Sequence, residues 1–366
     1  MDEFIKTEKR NNILVNAIYF VVLLCLIAIR VCSYYGVFAF LGKGASYYLS
    51  LFTQIGIIFL LPLALFKTLT HSKVRDVAEF CHCNKTSWKI VMASFGLGVL
   101  VFIFTIYASS FFNGLLGIVG YEHKGSSSSV STWGQFFLAI LCTALVPAIC
   151  EETLHRGLLL TGNSMLGRGK SILLTGLMFG LLHLNIEQFF YAFLVGLLLG
   201  RLLYACHSIF PCMIVHFTNN ALSVALSFAS AKGVVLLPAL EIAFSNFFSL
   251  FLFFFIVFFL IAIVVHYIIV VDTTSFFSKQ AMNAYTGVFD DYADVVRKNR
   301  KIDDERIREL EEMMRIEATA TDEEDEDDFP QEDYSPKMDK RSKIFLIGTI
   351  VLSAIITIMT FIWGLF

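Results

Sequence analysis

The sequence predicts an all-α, polytopic helical membrane protein with eight or nine transmembrane helices, and three observations support this fold class. Of the 366 residues, 57% are hydrophobic, only 16% are charged, and the mean hydropathy is +0.70. A soluble domain carries about 25% charged residues, so this chain has too few polar groups to cover a water-exposed surface. Apolar runs of about 20 residues, long enough to cross a bilayer, also recur along the chain. Soluble, fibrous and disulfide-stapled secreted proteins are therefore excluded.

Each of these runs is expected to be a helix, because a single span in lipid must satisfy its own backbone hydrogen bonds. One of the runs, at 171–184, is shorter than the thickness of a bilayer requires. The predicted spans lie at 13–32, 46–66, 90–112, 133–155, 171–184, 188–206, 209–230, 245–271 and 343–366.

The positive charges predict the orientation of these spans. The loop 67–89 carries five Lys or Arg residues, whereas the loop 113–132 carries only Lys124. Because basic residues stay on the cytoplasmic side, the N-terminus and the loop 67–89 are predicted to be cytoplasmic. We expect a bacterial plasma membrane. A location in the endoplasmic reticulum would give the same charge pattern.

Most of the charge lies in one acidic segment at 272–342, which holds 32 of the 59 charged residues. Residues 297–317 contain good helix formers, and residues 322–333 are too acidic to fold. This segment is predicted to be a partly disordered cytoplasmic tether, or a docking site at 297–342 for a protein partner. The predicted organisation is N-terminal helices and a cytoplasmic loop at 1–129, a core at 130–230, an additional span at 231–271, the charged segment at 272–342 and a last span at 343–366.

Two adjacent glutamates stand out in the apolar part of the chain. Between residues 123 and 271 there are only four acidic residues, and Glu151 and Glu152 are neighbours. A carboxylate in hydrocarbon costs at least about 2.5–3.5 kcal/mol, so it normally faces a cavity or a partner. Glu152 and Arg156 have the i,i+4 spacing of a helical ion pair. The simplest interpretation is that this pair only neutralises the helix end at the interface.

Two histidines and an asparagine in the following spans favour a catalytic interpretation instead. His183 lies in the run FGLLHL, and His216 and Asn220 lie one turn apart in MIVHFTNNA. A carboxylate with a histidine activates water as a general base, and a histidine with an asparagine stabilises an oxyanion. Glu151, His183 and His216 are also a ligand set for catalytic zinc. Their depths predict a cavity open to the cytoplasm, although a lone membrane histidine often only bonds to a neighbour.

Glycines in the fifth and sixth predicted spans are spaced for close helix packing. The small-xxx-small pairs are Gly176 with Gly180 and Gly196 with Gly200. Such pairs let helix backbones approach closely, here around the predicted site, although glycine is also common in membrane helices.

Three short motifs resemble those of the CPBP family, the CAAX-protease and bacteriocin-processing intramembrane proteases, also called Abi. EETLHR at 151–156 is similar to its EExxxR motif, FGLLH at 179–183 to FxxxH, and HFTNN at 216–220 to HxxxN. The motifs come in the family's order and cover about residues 130–230. The resemblance implies that this segment is the catalytic core.

The resemblance implies a role for each motif residue. Glu151 is the base with His183 as its partner, and Glu152 and Arg156 brace the site. His216 and Asn220 stabilise the oxyanion. If the protease is metal-dependent, Glu151, His183 and His216 are the expected ligands of a zinc ion. His155 is an additional imidazole one turn from Glu151. It either tunes the base or faces the membrane interface, and the second is expected.

The predicted function is therefore that of an intramembrane endopeptidase acting on a peptide or protein at the lipid bilayer, without a nucleic-acid partner. One alternative is a non-catalytic regulator or scaffold on the same fold, acting through the acidic segment. Another is a transporter, since membrane Glu and His residues also build proton relays. The transporter interpretation lacks the paired interrupted helices expected in two halves. Neither the substrate nor the oligomeric state follows from the sequence.

Overall fold

The computed structural model describes residues 2–122, 130–234, 255–268 and 338–364. Every regular element within these ranges is a helix, which confirms the predicted all-α class. All of the described residues belong to one compact unit. The acidic segment at 272–342 lies outside the described residues except for its last five, so its predicted order and its predicted partner stay predictions. The other predicted boundaries, at 129/130 and 230/231, also stay predictions.

The helices are numbered here in chain order. They are α1 (Asp2–Tyr34), α2 (Ala45–Leu51), α3 (Leu61–Thr70), α4 (Val74–Phe80), α5 (Trp88–Ile118), α6 (Trp133–Ala139), α7 (Val146–Glu152), α8 (Arg168–Leu182), α9 (Ile186–Cys206), α10 (Phe210–Ala231), α11 (Phe255–Ile268) and α12 (Lys340–Gly364).

Within the described ranges, seven continuous helical stretches are long and apolar enough to cross a membrane. The sequence predicts eight or nine crossings. Two of the predicted spans have no full-length counterpart among the described helices. The short run at 171–184 corresponds to α8, whose 15 residues rise only about 22 Å, less than the hydrocarbon core. The run at 245–271 is described only over α11, which is also shorter than a full crossing. The polytopic membrane fold itself is confirmed.

Three stretches of wider π-helix interrupt the spans around the glutamates. One of them, Phe52–Leu60, joins α2 to α3. The other two, Ile140–Leu145 and Thr153–Leu160, lie on either side of α7. Each π turn adds a residue to the helix and changes the direction in which later side chains point, and such turns are frequent at functional sites. The π-helices at Phe52–Leu60 and Thr153–Leu160 contact each other, so the second and fourth spans meet where both are irregular.

Close helix packing fixes the position of α8 despite its short length. A Cβ atom on Gly196 of α9 would lie 2.8 Å from the Cα atom of Gly176 on α8. A Cβ on Gly180 would lie 2.8 Å from the carbonyl oxygen of Phe189. Only residues without a side chain fit at such distances, which confirms the predicted close approach at Gly176, Gly180 and Gly196. It is not confirmed at Gly200, where a Cβ would lie an ordinary 3.4 Å from Ile172. The other extensive contacts pair α5 with α10 and α1 with α12.

Candidate active site

The two glutamates end α7 and are both buried. Glu151 is 9% exposed and Glu152 is 0% exposed, at the point where α7 passes into the π-helix Thr153–Leu160. Neighbouring helix positions are about 100° apart, so the two carboxylates point in different directions and have different partners.

Glu152 lies in a fully buried charged cluster. Its Oε1 atom accepts hydrogen bonds from Arg156 Nη1 at 3.0 Å and from His216 Nδ1 at 2.7 Å. The guanidinium also donates to the carbonyl of Gly196 at 3.2 Å and lies 4.4 Å from the ring centroid of Phe179. Buried charges are tolerated where they are paired and hydrogen-bonded in this way. The cluster joins α7, the following π-helix, α9 and α10 behind the site.

Glu151 faces the other way, toward a polar cavity. Its Oε1 atom accepts a hydrogen bond from Gln54 Nε2 at 2.7 Å. Its Oε2 atom lies 4.0 Å from Nε2 of His216. That separation is too long for a direct hydrogen bond, and it is the separation at which one water molecule bonds to both atoms. One carboxylate oxygen is therefore held by the protein, and the other is directed at the space shared with His216.

His183 follows the last residue of α8, and its imidazole is anchored on one side. Its Nδ1 atom lies 2.9 Å from the carbonyl oxygen of Phe179. A carbonyl only accepts, so Nδ1 carries the hydrogen and the neutral ring presents Nε2 as an acceptor. The Phe179 ring lies edge-on to both His183 and His216.

Asn220 of α10 is held by a backbone bond to the π-helix Ile140–Leu145 and by a side-chain bond within α10. Its Nδ2 atom donates to the carbonyl of Thr143 at 3.1 Å, and its Oδ1 atom accepts from Asn219 Nδ2 at 2.9 Å. Asn219 in turn accepts a hydrogen bond from Thr105 of α5. An amide nitrogen carries two hydrogens, so one N–H of Asn220 is left for a ligand.

The structure brings four of the six candidate residues to one cavity of about 260 Å³. Glu151, His183, His216 and Asn220 line this cavity, whereas Glu152 and Arg156 lie behind it. The cavity is lined by further polar side chains that the sequence analysis does not single out. They are Ser50, Gln54, Thr143, Gln188, Tyr191 and Asn219. Of these, Gln54 bonds directly to Glu151, and a lone glutamine in the apolar run 46–66 is the signal that would have indicated it.

The prediction that His155 faces the membrane interface is wrong. Its side chain is 0% exposed and its ring packs against Tyr19 of α1 and Phe179 of α8. Its Nδ1 atom lies 2.8 Å from the backbone oxygen of Glu151, and its Nε2 atom lies 3.0 Å from the hydroxyl of Tyr19. A helical wheel cannot show a partner contributed by a span more than a hundred residues earlier.

The candidate zinc ligands suit a metal ion chemically but do not converge. His183 and His216 each anchor one ring nitrogen on a carbonyl or carboxylate, as metal-binding histidines usually do. Within the described part of the chain, however, no three His, Cys, Asp or Glu side chains group closely enough to hold a metal ion. The proposed chemistry is therefore derived from the side chains alone, and zinc ligation by Glu151, His183 and His216 stays a prediction.

Comparison with known proteins finds a match to the segment that supplies most of the residues of this cavity. Residues 133–222 match the family model described as "Rce1-like: Type II CAAX prenyl endopeptidase Rce1-like". No curated protein and no solved structure matches the chain. The matched segment contains all three motifs and all six candidate residues. The family resemblance carried by these motifs is thereby confirmed over residues 133–222, which are similar to the Rce1-like type II CAAX prenyl endopeptidases.

Proposed function

We propose that the protein is an intramembrane endopeptidase in which Glu151 and His183 activate a water molecule to hydrolyse a peptide bond. The observation that carries this proposal is the buried Glu151 carboxylate, held by Gln54 on one oxygen and directed at a polar cavity with the other. A water between Oε2 and His216 is within reach of the base, as general base catalysis requires.

Glu151 takes the proton of this water as the oxygen attacks the substrate carbonyl. His183 assists as an acceptor, because its Nδ1 hydrogen is committed to the Phe179 carbonyl and Nε2 is available. A base buried among helices is poorly hydrated, and this favours proton transfer from a bound water over exchange with bulk solvent.

His216 and Asn220 stabilise the negative charge that develops on the carbonyl oxygen. As an imidazolium, His216 donates from Nε2, because Glu152 already accepts the hydrogen on Nδ1. Asn220 supplies its second amide hydrogen from the same helix. Pre-oriented donors of this kind are each worth about 10²–10³ in kcat in a dry site. Glu152 and Arg156 keep the His216 ring in place.

Collapse of the tetrahedral intermediate breaks the C–N bond. Protonated Glu151 returns its proton to the leaving amine, so the carboxylate is regenerated and one water is consumed for each bond cleaved. The three candidate ligands do not converge in the structure. If zinc were bound, Glu151, His183 and His216 would hold it, and it would lower the pKa of a bound water.

The substrate class follows from the family match and from the location of the site. The matched family is named for type II CAAX prenyl endopeptidases, that is, endopeptidases of prenylated CAAX proteins. We extend this substrate class to the present chain and place the mouth of its cavity on the cytoplasmic side, in keeping with the basic loop 67–89. A membrane-associated peptide then reaches the buried base without leaving the bilayer.

Comparative terminal proteomics tests this function across all membrane substrates at once. Cells that carry the wild-type protein are compared with cells that carry Glu151→Ala, and peptide C-termini are quantified in the membrane fraction. We expect unprocessed termini to accumulate only in the Glu151→Ala cells. Identical terminal peptides in both strains, with equal amounts of inserted protein, would contradict the proposal.

A further inference from the structure

The first helix makes polar contacts to two motif regions, a side chain of one and the backbone of the other, although it lies outside the matched segment 133–222. Tyr19 of α1 is 1% exposed, and its hydroxyl lies 3.0 Å from both His155 Nε2 and the carbonyl oxygen of Met178. Arg30 of α1 reaches the carboxyl end of the same helix, α8, next to His183. A helix that served only as an anchor in the bilayer would not need a buried hydroxyl and a cation at these two points.

The positions of the hydrogens define how Tyr19 acts on His155. The backbone oxygen of Glu151 only accepts, so the 2.8 Å contact requires that His155 Nδ1 carries the hydrogen. The single hydroxyl hydrogen of Tyr19 is donated to the carbonyl oxygen of Met178, and the hydroxyl oxygen contacts Nε2 of His155 at 3.0 Å. The hydroxyl therefore links the His155 ring to α8 and holds the ring where Nδ1 meets the backbone of Glu151. This bond occurs where the change from α-helix to π-helix loosens the regular backbone ladder.

Arg30 of α1 contacts the backbone at His183, as Tyr19 contacts the His155 side chain. Its Nη1 atom donates to the carbonyl of Leu184 at 2.9 Å and to that of His183 at 3.3 Å. Leu184 has φ +48°, a left-handed conformation that a residue with a side chain rarely adopts. A guanidinium at the carboxyl end of a helix satisfies its free carbonyls and complements the helix dipole. The position of the His183 backbone thus depends on a contact from α1.

We propose that α1 is a positioning element of the active site. In this proposal, which rests on the proposed function, Tyr19 fixes Glu151 through His155, and Arg30 fixes His183. Neither residue touches the substrate, so the loss of either lowers kcat and leaves KM unchanged. His155 is the link between the first span and the base.

Kinetics of full-length protein in lipid vesicles test the proposal, with a synthetic S-farnesylated peptide ending in a CAAX sequence as the probe. Tyr19→Phe keeps the buried ring and removes only the hydroxyl. We expect a loss of about tenfold in kcat with unchanged KM, the effect of one lost buried hydrogen bond. Tyr34→Phe is the matched control, because Tyr34 lies on the same helix and is 69% exposed; its kcat should stay at the wild-type value.

Two substitutions of His155 separate positioning from packing. Asparagine places an amide N–H where Nδ1–H lies, whereas glutamine places one nearer to Nε2. We expect His155→Asn to retain kcat to within about threefold and His155→Gln to lose about tenfold. Arg30→Met should lower kcat without changing KM, and Arg30→Lys should restore part of it. If the His155 variants do not fold, Tyr19→Phe alone decides the question.

Unchanged kcat in Tyr19→Phe, or equal activity of the two His155 variants, would overturn the proposal. Glu151→Gln in the same assay separates this failure from a failure of the proposed function. Inactive Glu151→Gln with fully active Tyr19→Phe would leave the peptidase function standing and remove only the role of α1. Full activity of Glu151→Gln would remove both.

Discussion

Arg156 shows how burial decides what an ion pair contributes. Arg156 and Glu152 are four residues apart, 3.0 Å from each other and both 0% exposed at their side chains. Arg75 and Glu79 have the same spacing and the same distance, but their side chains are 85% and 61% exposed. Water screens the second pair, whereas removal of one partner of the first leaves an uncompensated buried charge.

We therefore expect Arg156→Met to destabilise the protein by about 3–5 kcal/mol. Arg75→Met, its matched control, should leave the stability at the wild-type value because the exposed pair contributes little. Denaturant unfolding in detergent micelles measures both. Equal stabilities of the two variants would show that the buried cluster does not hold the site together.

The role of a metal is the second question at the residue scale. The candidate ligands do not converge in the structure, and the proposed mechanism uses the Glu151 carboxylate directly. We expect peptidase activity to survive dialysis against a strong chelator. The measurement compares the activity of the dialysed protein with that of an untreated sample. Loss of activity on chelation and its recovery with added zinc would instead assign Glu151, His183 and His216 as ligands.

At the scale of elements, the contact between α8 and α9 determines where His183 lies. The closest approach is at Gly196, where a methyl group would meet the Gly176 backbone at 2.8 Å. Backbone cannot rotate away as a side chain does, so the two helices must separate. The carbonyl of Gly196 also accepts a hydrogen bond from Arg156, and helix separation would disturb the charged cluster as well.

Gly196→Ala is accordingly expected to cost about 1–3 kcal/mol of stability through overpacking, and to lower activity with it. The control is Gly114→Ala in α5, where nothing lies within 4 Å of the added methyl. There alanine should be neutral or slightly stabilising, because it favours helix more than glycine does. Thermal unfolding of both variants gives the comparison, and a stable Gly196→Ala protein would contradict the packing argument.

The elements also show what sequence reasoning reaches and what it does not. The spans follow from the length and hydropathy of each run, and the buried glutamates follow from the cost of charge in lipid. The close approach of α8 and α9 follows from the spacing of their glycines. The roles of Gln54 and Tyr19 do not follow from the sequence, because each acts across spans that lie about a hundred residues apart. The burial of His155 is missed for the same reason, and the π-helical turns that redirect these side chains have no simple sequence signal.

At the scale of the whole molecule, the orientation in the membrane decides which compartment supplies the substrate. Cys83 lies in the loop 67–89, which is predicted to be cytoplasmic, and it is exposed. Cys81 in the same loop is buried, and burial together with the neighbouring Cys83 raises the pKa of its thiol to about 12. A thiol reagent that does not cross membranes therefore reports on Cys83.

We expect a membrane-impermeant maleimide to label Cys83 in inverted vesicles and not in intact cells. Desolvation by neighbouring groups raises the pKa of the Cys83 thiol. Little of it is thiolate at neutral pH, and labelling should become faster as the pH rises. The Cys83→Ser variant identifies the labelled residue. Labelling of Cys83 in intact cells would reverse the predicted topology and place the mouth of the cavity on the other side.

The most direct test of the central claim is cleavage of a farnesylated CAAX peptide by purified protein in vesicles, wild type against Glu151→Gln. The amide of glutamine keeps the size of the side chain and cannot accept the proton of the attacking water. The proposal predicts cleavage by the wild type, with the product mass of a single hydrolysed peptide bond, and a loss of at least about 10²-fold in kcat for Glu151→Gln. Equal cleavage by both folded proteins would contradict the assignment of Glu151 as the base.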